Sequence, residues 1–360
     1  MTIKSFKHLF IIVMYLSVLV IVDNAVAASV KDSKSNNASK ETFAKAEALF
    51  YGKGVKKDYK SAFKLYQTSA ASGNPDAQAM VALSYLTGLG THINYKLASE
   101  FAKKAADNNS LLGKFALAMI IGMDKQIVVL DMDKLKTLIL PIAPKILSEA
   151  EKGGILFQTF IGQIYLLGIG VPKSEENFLK WSMKAAEQGE VIAQTNIGSY
   201  YQGKAKFVDS KMRKPLPPGH DIGPVEYIQI VPESEYTEAL KWYKGASDQG
   251  YPQAQFLIAN VYNLINSYNL IAHMGSEGIS APQPPRKFQA EYKWLLNEAA
   301  EQGFVGAMLS LGLCYEYGLD CPQNTSDAVE WYHKCTEQGL NSTNVFVVSC
   351  QQRLDAQPKK

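Results

Sequence analysis

The sequence predicts an all-α solenoid, about seven helix pairs stacked side by side and closed by a C-terminal capping helix. Three observations carry this. Ala-Ala-Glu-Gln-Gly occurs at Ala185–Gly189 and again at Ala299–Gly303, and Cys335–Gly339 reads Cys-Thr-Glu-Gln-Gly. With the last residue of each copy as a ruler (Gly73, Asn109, Gly153, Gly189, Gly250, Gly303, Gly339), the steps are 36, 44, 36, 61, 53 and 36. Between the marks a small-x-x-x-aliphatic-small-x-x-Tyr stripe recurs. A period in this range marks stacked units, none of which buries its apolar face alone. Stacking at about 10 Å per unit predicts an arc about 70 Å long.

Composition agrees with an ordered globular chain: 360 residues, 47% hydrophobic and 20% charged. A net charge of +3 is too small to draw the chain to nucleic acid or to an anionic membrane surface.

The N-terminus reads as a targeting segment. Lys4 and Lys7 precede an apolar run from Leu9 to Val22, and Ala25-Val26-Ala27 offers a small-residue cleavage site. The run is shorter than the ~20 residues of a membrane span and suits a secretory h-region. Residues 1–27 are thus expected to be a signal peptide and 28–40 a flexible leader. Membrane contact is expected only if the signal segment is retained.

Residues 41–341 are expected to form the solenoid. Helix A of each unit carries the stripe, as in Ala77/Val81/Ala82/Tyr85, Ala193/Ile197/Gly198/Tyr201, Ala254/Ile258/Ala259/Tyr262 and Ala307/Leu311/Gly312/Tyr315. These positions share one helical face. A glycine inside a helix costs about 1 kcal/mol relative to alanine, so its recurrence implies a neighbouring helix passing very close. A Gly-x-Gly turn follows at Gly52 and Gly168, with the variant Gly318-Leu-Asp-Cys321. Helix B then starts near Asp58, Ser174, Ser234 or Ser326, all favourable N-caps. It carries an aromatic anchor at Trp181, Trp242, Trp294 or Trp331 and ends on the glycine of the ruler as its C′ residue.

These residues resemble the Sel1-like repeat, a relative of the tetratricopeptide repeat, whose pattern runs approximately A-x-x-x-L-G-x-x-Y-x-x-G-x-G-V-x-x-D…A-x-x-W-Y-x-x-A-A-x-x-G. The match covers about Glu41 to Asn341 and is weakest over Leu111–Gly154, which lacks the Tyr, the Trp and the Gly-x-Gly turn. The resemblance implies a right-handed αα superhelix acting as an adaptor or binding scaffold without catalysis. It also implies that an exported bacterial member serves envelope assembly or host-cell interaction.

Three insertions, at 123–133, 204–233 and 264–287, all fall between helix A and helix B and so share one edge of the stack. The second and third lie on consecutive units. They are expected to form a polar, proline-stiffened ledge for a partner, built from Lys206, Lys211, Arg213, Lys214, His220, Asp221, His273, Arg286 and Lys287. A solvated insertion neutralising its own charge is the competing reading.

No H-E-x-x-H, G-x-S-x-G or P-loop occurs, and His220-Asp221 stands as a lone pair in a long loop, so no catalytic residue, metal or cofactor is expected. Gln78, Gln158, Gln194 and Gln255 recur at one position of helix A. They either tie neighbouring units together, the favoured reading, or line the inner face to grip a peptide.

All four cysteines, Cys314, Cys321, Cys335 and Cys350, lie in the last 47 residues. An oxidising compartment permits any of three pairings. On the ruler Cys314 and Cys321 face one core pocket, so Cys314–Cys321 with Cys335–Cys350 is the preferred pair, the second tying a capping helix near Thr343–Leu354 to the last unit. Residues 342–360 are assigned to that cap and its tail. Free thiols and a zinc site are the alternatives.

Function narrows to three classes: an exported, periplasmic or secreted scaffold for a protein or peptide partner; an enzyme or enzyme inhibitor directed at cell-wall glycan or β-lactam-type ligands; or a structural part of an envelope or secretion machine.

Overall fold

The computed structural model describes residues 37–123, 132–212, 234–274, 286–318, 321–338 and 344–356. Among these residues there are sixteen helices and no strand. They form seven pairs and a cap: α1 (37–51) with α2 (Tyr59–Ala71); α3 (Pro75–Thr87) with α4 (Tyr95–Asp107); α5 (Leu111–Met123) with α6 (Met132–Ile139) and α7 (Ala143–Glu151); α8 (Ile155–Leu167) with α9 (Glu175–Glu187); α10 (Val191–Met212) with α11 (Ser234–Ser247); α12 (Pro252–Met274) with α13 (Arg286–Glu301); α14 (Val305–Tyr317) with α15 (Thr325–Thr336); and α16 (Val345–Asp355). The third B helix is split because Pro141 cannot continue α6.

One set of bonds closes the A–B turn in four units. The backbone N–H groups of Asp58, Asn94, Ser174 and Asn324 donate to the carbonyls of Leu49, Tyr85, Tyr165 and Tyr315 at 2.9, 2.9, 3.0 and 2.9 Å. The same four residues cap helix B with their side chains. The last cap is therefore Asn324, in register, and not Ser326. Helix A ends in these units on a left-handed glycine, at Gly52, Gly88, Gly168 and Gly318.

The recurring Ala-Ala-Glu-Gln-Gly is explained residue by residue. At Ala185–Gly189, the Ala185 carbonyl accepts from Glu190 N–H (3.1 Å) and the Ala186 carbonyl from Gly189 N–H (2.9 Å), with Gly189 at φ 78°. This is the reverse turn that satisfies the last carbonyls of a helix. Gln188 donates to Gln158 Oε1 (3.0 Å), and Gln158 donates to the Ala150 carbonyl of the preceding unit (3.3 Å). Asn108–Gln78–Ala70 and Gln249–Gln194–Ala186 repeat the arrangement. The helix A glutamines thus tie unit to unit.

Helix A glycines receive helix B side chains. A Cβ on Gly198 would stand 2.6 Å from the Tyr243 ring, and one on Gly162 would stand 2.6 Å from Ser182 Oγ. Tyr332 lies over Gly312 in the same way. The anchor of helix B is therefore the residue after the expected tryptophan: Tyr243 and Tyr332 are fully buried, whereas Trp242 and Trp331 are only partly buried. Trp181 is buried, but Trp294 is 55% exposed because it falls one position off the ruler, where Leu295 is buried instead.

Three further expectations change. Residues 37–40, assigned to the leader, are helical, and the buried Ser39 exchanges hydrogen bonds with Ser69 (2.8 and 3.1 Å). Residues 204–212 and 264–274, assigned to inserted loops, continue α10 and α12, which run 22 and 23 residues. Lys204 and Ile265 occupy the place of the stop glycines Gly88, Gly168 and Gly318, so nothing ends the helix there. Finally, the stack does not remain an open arc. Lys57 Nζ donates to Gln249 Oε1 (2.7 Å) and to the Gly189 carbonyl (3.3 Å), Tyr59 Oη donates to Gln249 Oε1 (2.9 Å), and Ile93 N–H donates to the Gln302 carbonyl (2.8 Å). The A–B edge of units one and two thus rests on the helix B ends of units four to six, and the superhelix touches its own next turn.

Candidate functional site

Closure of the coil leaves a cavity of about 220 Å³ on the inner face. Its walls come from A helices of successive units: Phe115 and Met119 of α5, Gln163 and Leu167 of α8, Asn196 of α10, and Tyr251 and Gln253 at the start of α12. Leu135 and Ile139 of α6 complete it. Phe115 stacks on Phe160, ring centroids 3.4 Å apart, which holds the floor. Tyr251 Oη donates to Gln253 Oε1 (2.8 Å), and burial raises its hydroxyl above the usual tyrosine range. Among the described residues, no lining side chain carries a charge at neutral pH. The Asn196 Nδ2 is buried without an acceptor among the described residues.

The position of Tyr251 and Gln253 depends on the turn-to-turn contact. They flank Pro252, which packs where a Cβ of Gly88 would stand, 3.2 Å from that point, and they follow Gln249, the acceptor for Lys57 and Tyr59. Beneath this contact lies Glu190, 4% exposed, accepting from Ala193 N–H (2.6 Å), Ile192 N–H (3.2 Å) and Thr159 Oγ1 (2.9 Å). Burial raises its carboxyl above the ordinary value, and the hydrogen bonds and Lys57 only partly offset this. Burial lowers the Lys57 ammonium, with Glu190 opposing.

The ledge residues divide. Lys206 and Lys211 lie on the last turns of α10, His273 lies at the end of α12, and Arg286 and Lys287 open α13. Arg213, Lys214, His220 and Asp221 lie outside the described residues. The cavity residues were missed because Gln163, Asn196 and Gln253 occupy three different positions of the repeat, so no recurrence flags them.

The cysteines form Cys314–Cys321 and Cys335–Cys350, with Cα atoms 5.5 and 6.4 Å apart. The second bridge joins α15 to α16. The cap is also held by Arg353, whose guanidinium donates to Glu316 (3.1 Å) and to the Tyr317 hydroxyl.

The Sel1 repeat profile matches residues 44–74, 75–110, 156–190, 229–251 and 305–340. The chain is 23% identical over 293 residues to Chitin synthase regulatory factor 3 of Schizosaccharomyces pombe, covering 80% of this chain and 26% of that protein. It is 29% identical over 128 residues to the Putative sel1-like repeat-containing protein L21 of Acanthamoeba polyphaga mimivirus, covering 34% and 24%. The chain spans about a quarter of the length of these curated relatives. Among solved structures it resembles a Sel1 repeat protein from Oxalobacter formigenes, at 22% identity and TM-score 0.38, covering 89% of this chain and 76% of that one.

Proposed function

Because this chain is a Sel1-repeat protein, of a family whose members typically mediate protein–protein interaction, we propose that it is an exported, non-enzymatic scaffold. It holds a protein or peptide partner on its inner face and on the ledge between units five and six, in envelope assembly or host-cell interaction. The observation that carries this is the inner-face cavity: a largely apolar recess, with no charged side chain among the described residues that line it, formed by A helices of four units and by α6. Recesses of this kind, with a few polar groups on apolar walls, are where proteins hold ligands. Export is supported by the two bridges in the last helix pair and cap, which suit an oxidising compartment, and by the signal-like first 27 residues.

Capture of surface and envelope proteins by the immobilised chain, followed by cross-linking mass spectrometry, tests the scaffold. One partner should cross-link to Lys206, Lys211 or Lys287 and be lost when 213–233 and 275–285 are replaced by short Gly-Ser linkers. The melting temperature should move by only a few degrees, since an edge insertion adds little to unit-to-unit packing. A partner retained by the linker variant, with no cross-link to the ledge, would remove the ledge from the proposal. Fractionation of producing cells tests export, and a cytosolic pool with four alkylatable thiols would overturn it.

A further inference from the structure

We propose that the inner-face cavity is a receptor for one large, uncharged apolar side chain of an extended peptide segment. This rests on the scaffold reading and names the chemistry of its partner. At about 220 Å³ the space equals roughly seven waters at ~30 Å³ each. That lies below the ~300–1,000 Å³ of sites for drug-sized ligands and is of the size of a single bulky side chain. Phe115, Met119, Leu135, Ile139 and Leu167 give it apolar walls. An ionised side chain would enter without a countercharge and lose its hydration, so the occupant is neutral.

The polar groups point to a peptide rather than a free hydrocarbon. Gln163, Asn196 and Gln253, from α8, α10 and α12, are all carboxamides. Each pairs an N–H donor with a C=O acceptor, the same complement as a peptide group. Asn196 brings an Nδ2 with no acceptor among the described residues. A second, smaller space of about 20 Å³ shares the lining residues Met119, Tyr251 and Gln253 and is bordered also by Leu86 and Phe304.

The test uses the full chain and fluorescein-labelled, end-capped nonapeptides of Gly and Ser with one variable central residue, read by fluorescence anisotropy. Central Leu, Phe or Trp should bind saturably, and Gly, Asp or Lys at least about tenfold more weakly. Gln163→Trp, at a half-buried wall position, should fill the recess and weaken the Leu peptide about tenfold with the melting temperature retained. Asn196→Ala, which adds no bulk, should weaken it by a smaller factor. The ledge-linker variant should bind the peptides as the wild type does. Equal binding of Gly and Leu peptides, or unchanged binding by both cavity variants, would overturn the assignment. If the peptides fail while the protein partner is still captured, the scaffold stands and the cavity assignment falls. If peptides bind and no partner is captured, the reverse holds.

Discussion

Gly198 and Gly203 stand five residues apart on α10, and the fold asks opposite things of them. A Cβ at Gly198 would press into the Tyr243 ring, whereas nothing lies within 4 Å of one at Gly203. Gly198→Ala should therefore cost about 1–3 kcal/mol through overpacking, while Gly203→Ala should stabilise by up to about 1 kcal/mol through helix propensity. Paired denaturant melts check both signs. The repeated helix glycine was legible as a close approach, but the residue filling it was not. The Trp of Trp-Tyr looked like the larger anchor, yet 100° of helical rotation turns Tyr243 and Tyr332 into the core and leaves Trp242 and Trp331 at its margin. Glu190 gives a prediction in pH. Its buried carboxyl is raised above the ordinary value, so the folded chain binds that proton more tightly than the unfolded one. Stability from this group is fully present below the ordinary carboxylate value and falls as pH rises through the raised one. Lys57 is lowered from the ordinary lysine value by burial, with Glu190 opposing. Glu190→Gln should flatten the acid-to-neutral slope of the melting temperature, and an unchanged slope would show that Glu190 is ionised at little cost.

Four A helices in this chain stop where a glycine stops them. Gly52, Gly88, Gly168 and Gly318 end their A helices at φ 71°, 78°, 69° and 68°, and the two units with Lys204 and Ile265 at that position run on. Insertion lengths alone could place the ledge between A and B, but only the missing stop says that its first part is helix. The unit-to-unit ladder was readable as a recurring glutamine with two possible uses. Bonds such as Gln194 to the Ala186 carbonyl (3.2 Å) and Gln249 to Gln194 (3.0 Å) show it tying units together. Gln194→Ala, which strands buried partners, should cost about 1–3 kcal/mol in a chemical melt. The last unit has Met308 at the ladder position and closes with cysteines instead. Cys335→Ser with Cys350→Ser should cost about 3 kcal/mol for a loop of this length and speed hydrogen exchange in α16 ahead of α14. Exchange that accelerates equally everywhere would mean that the cap and the stack unfold together.

At the scale of the whole molecule, a spacing rule reports which neighbours stack but is silent on curvature, because small rotations per unit add up only in space. That is why an arc was expected and a coil meeting its own next turn is found, and why the cavity, which depends on Tyr251 and Gln253 being held by that meeting, left no trace in the repeat. Lys57→Ala combined with Tyr59→Phe removes the three side-chain hydrogen bonds from unit one to units four and five. Small-angle scattering should then show a radius of gyration above the ~20 Å expected of a compact chain of this size, with helicity unchanged. The contact also sets an order of events during synthesis. An ordinary repeat array settles each unit against the one just made, and nothing waits. Here Lys57 is translated 192 residues before its acceptor Gln249, and Ile93 209 residues before Gln302. At about 5–20 residues per second the first unit must exist for roughly 10–40 seconds with its seam open. Apolar and polar groups meant for the later turn are on display throughout that time, to chaperones or to a second nascent copy.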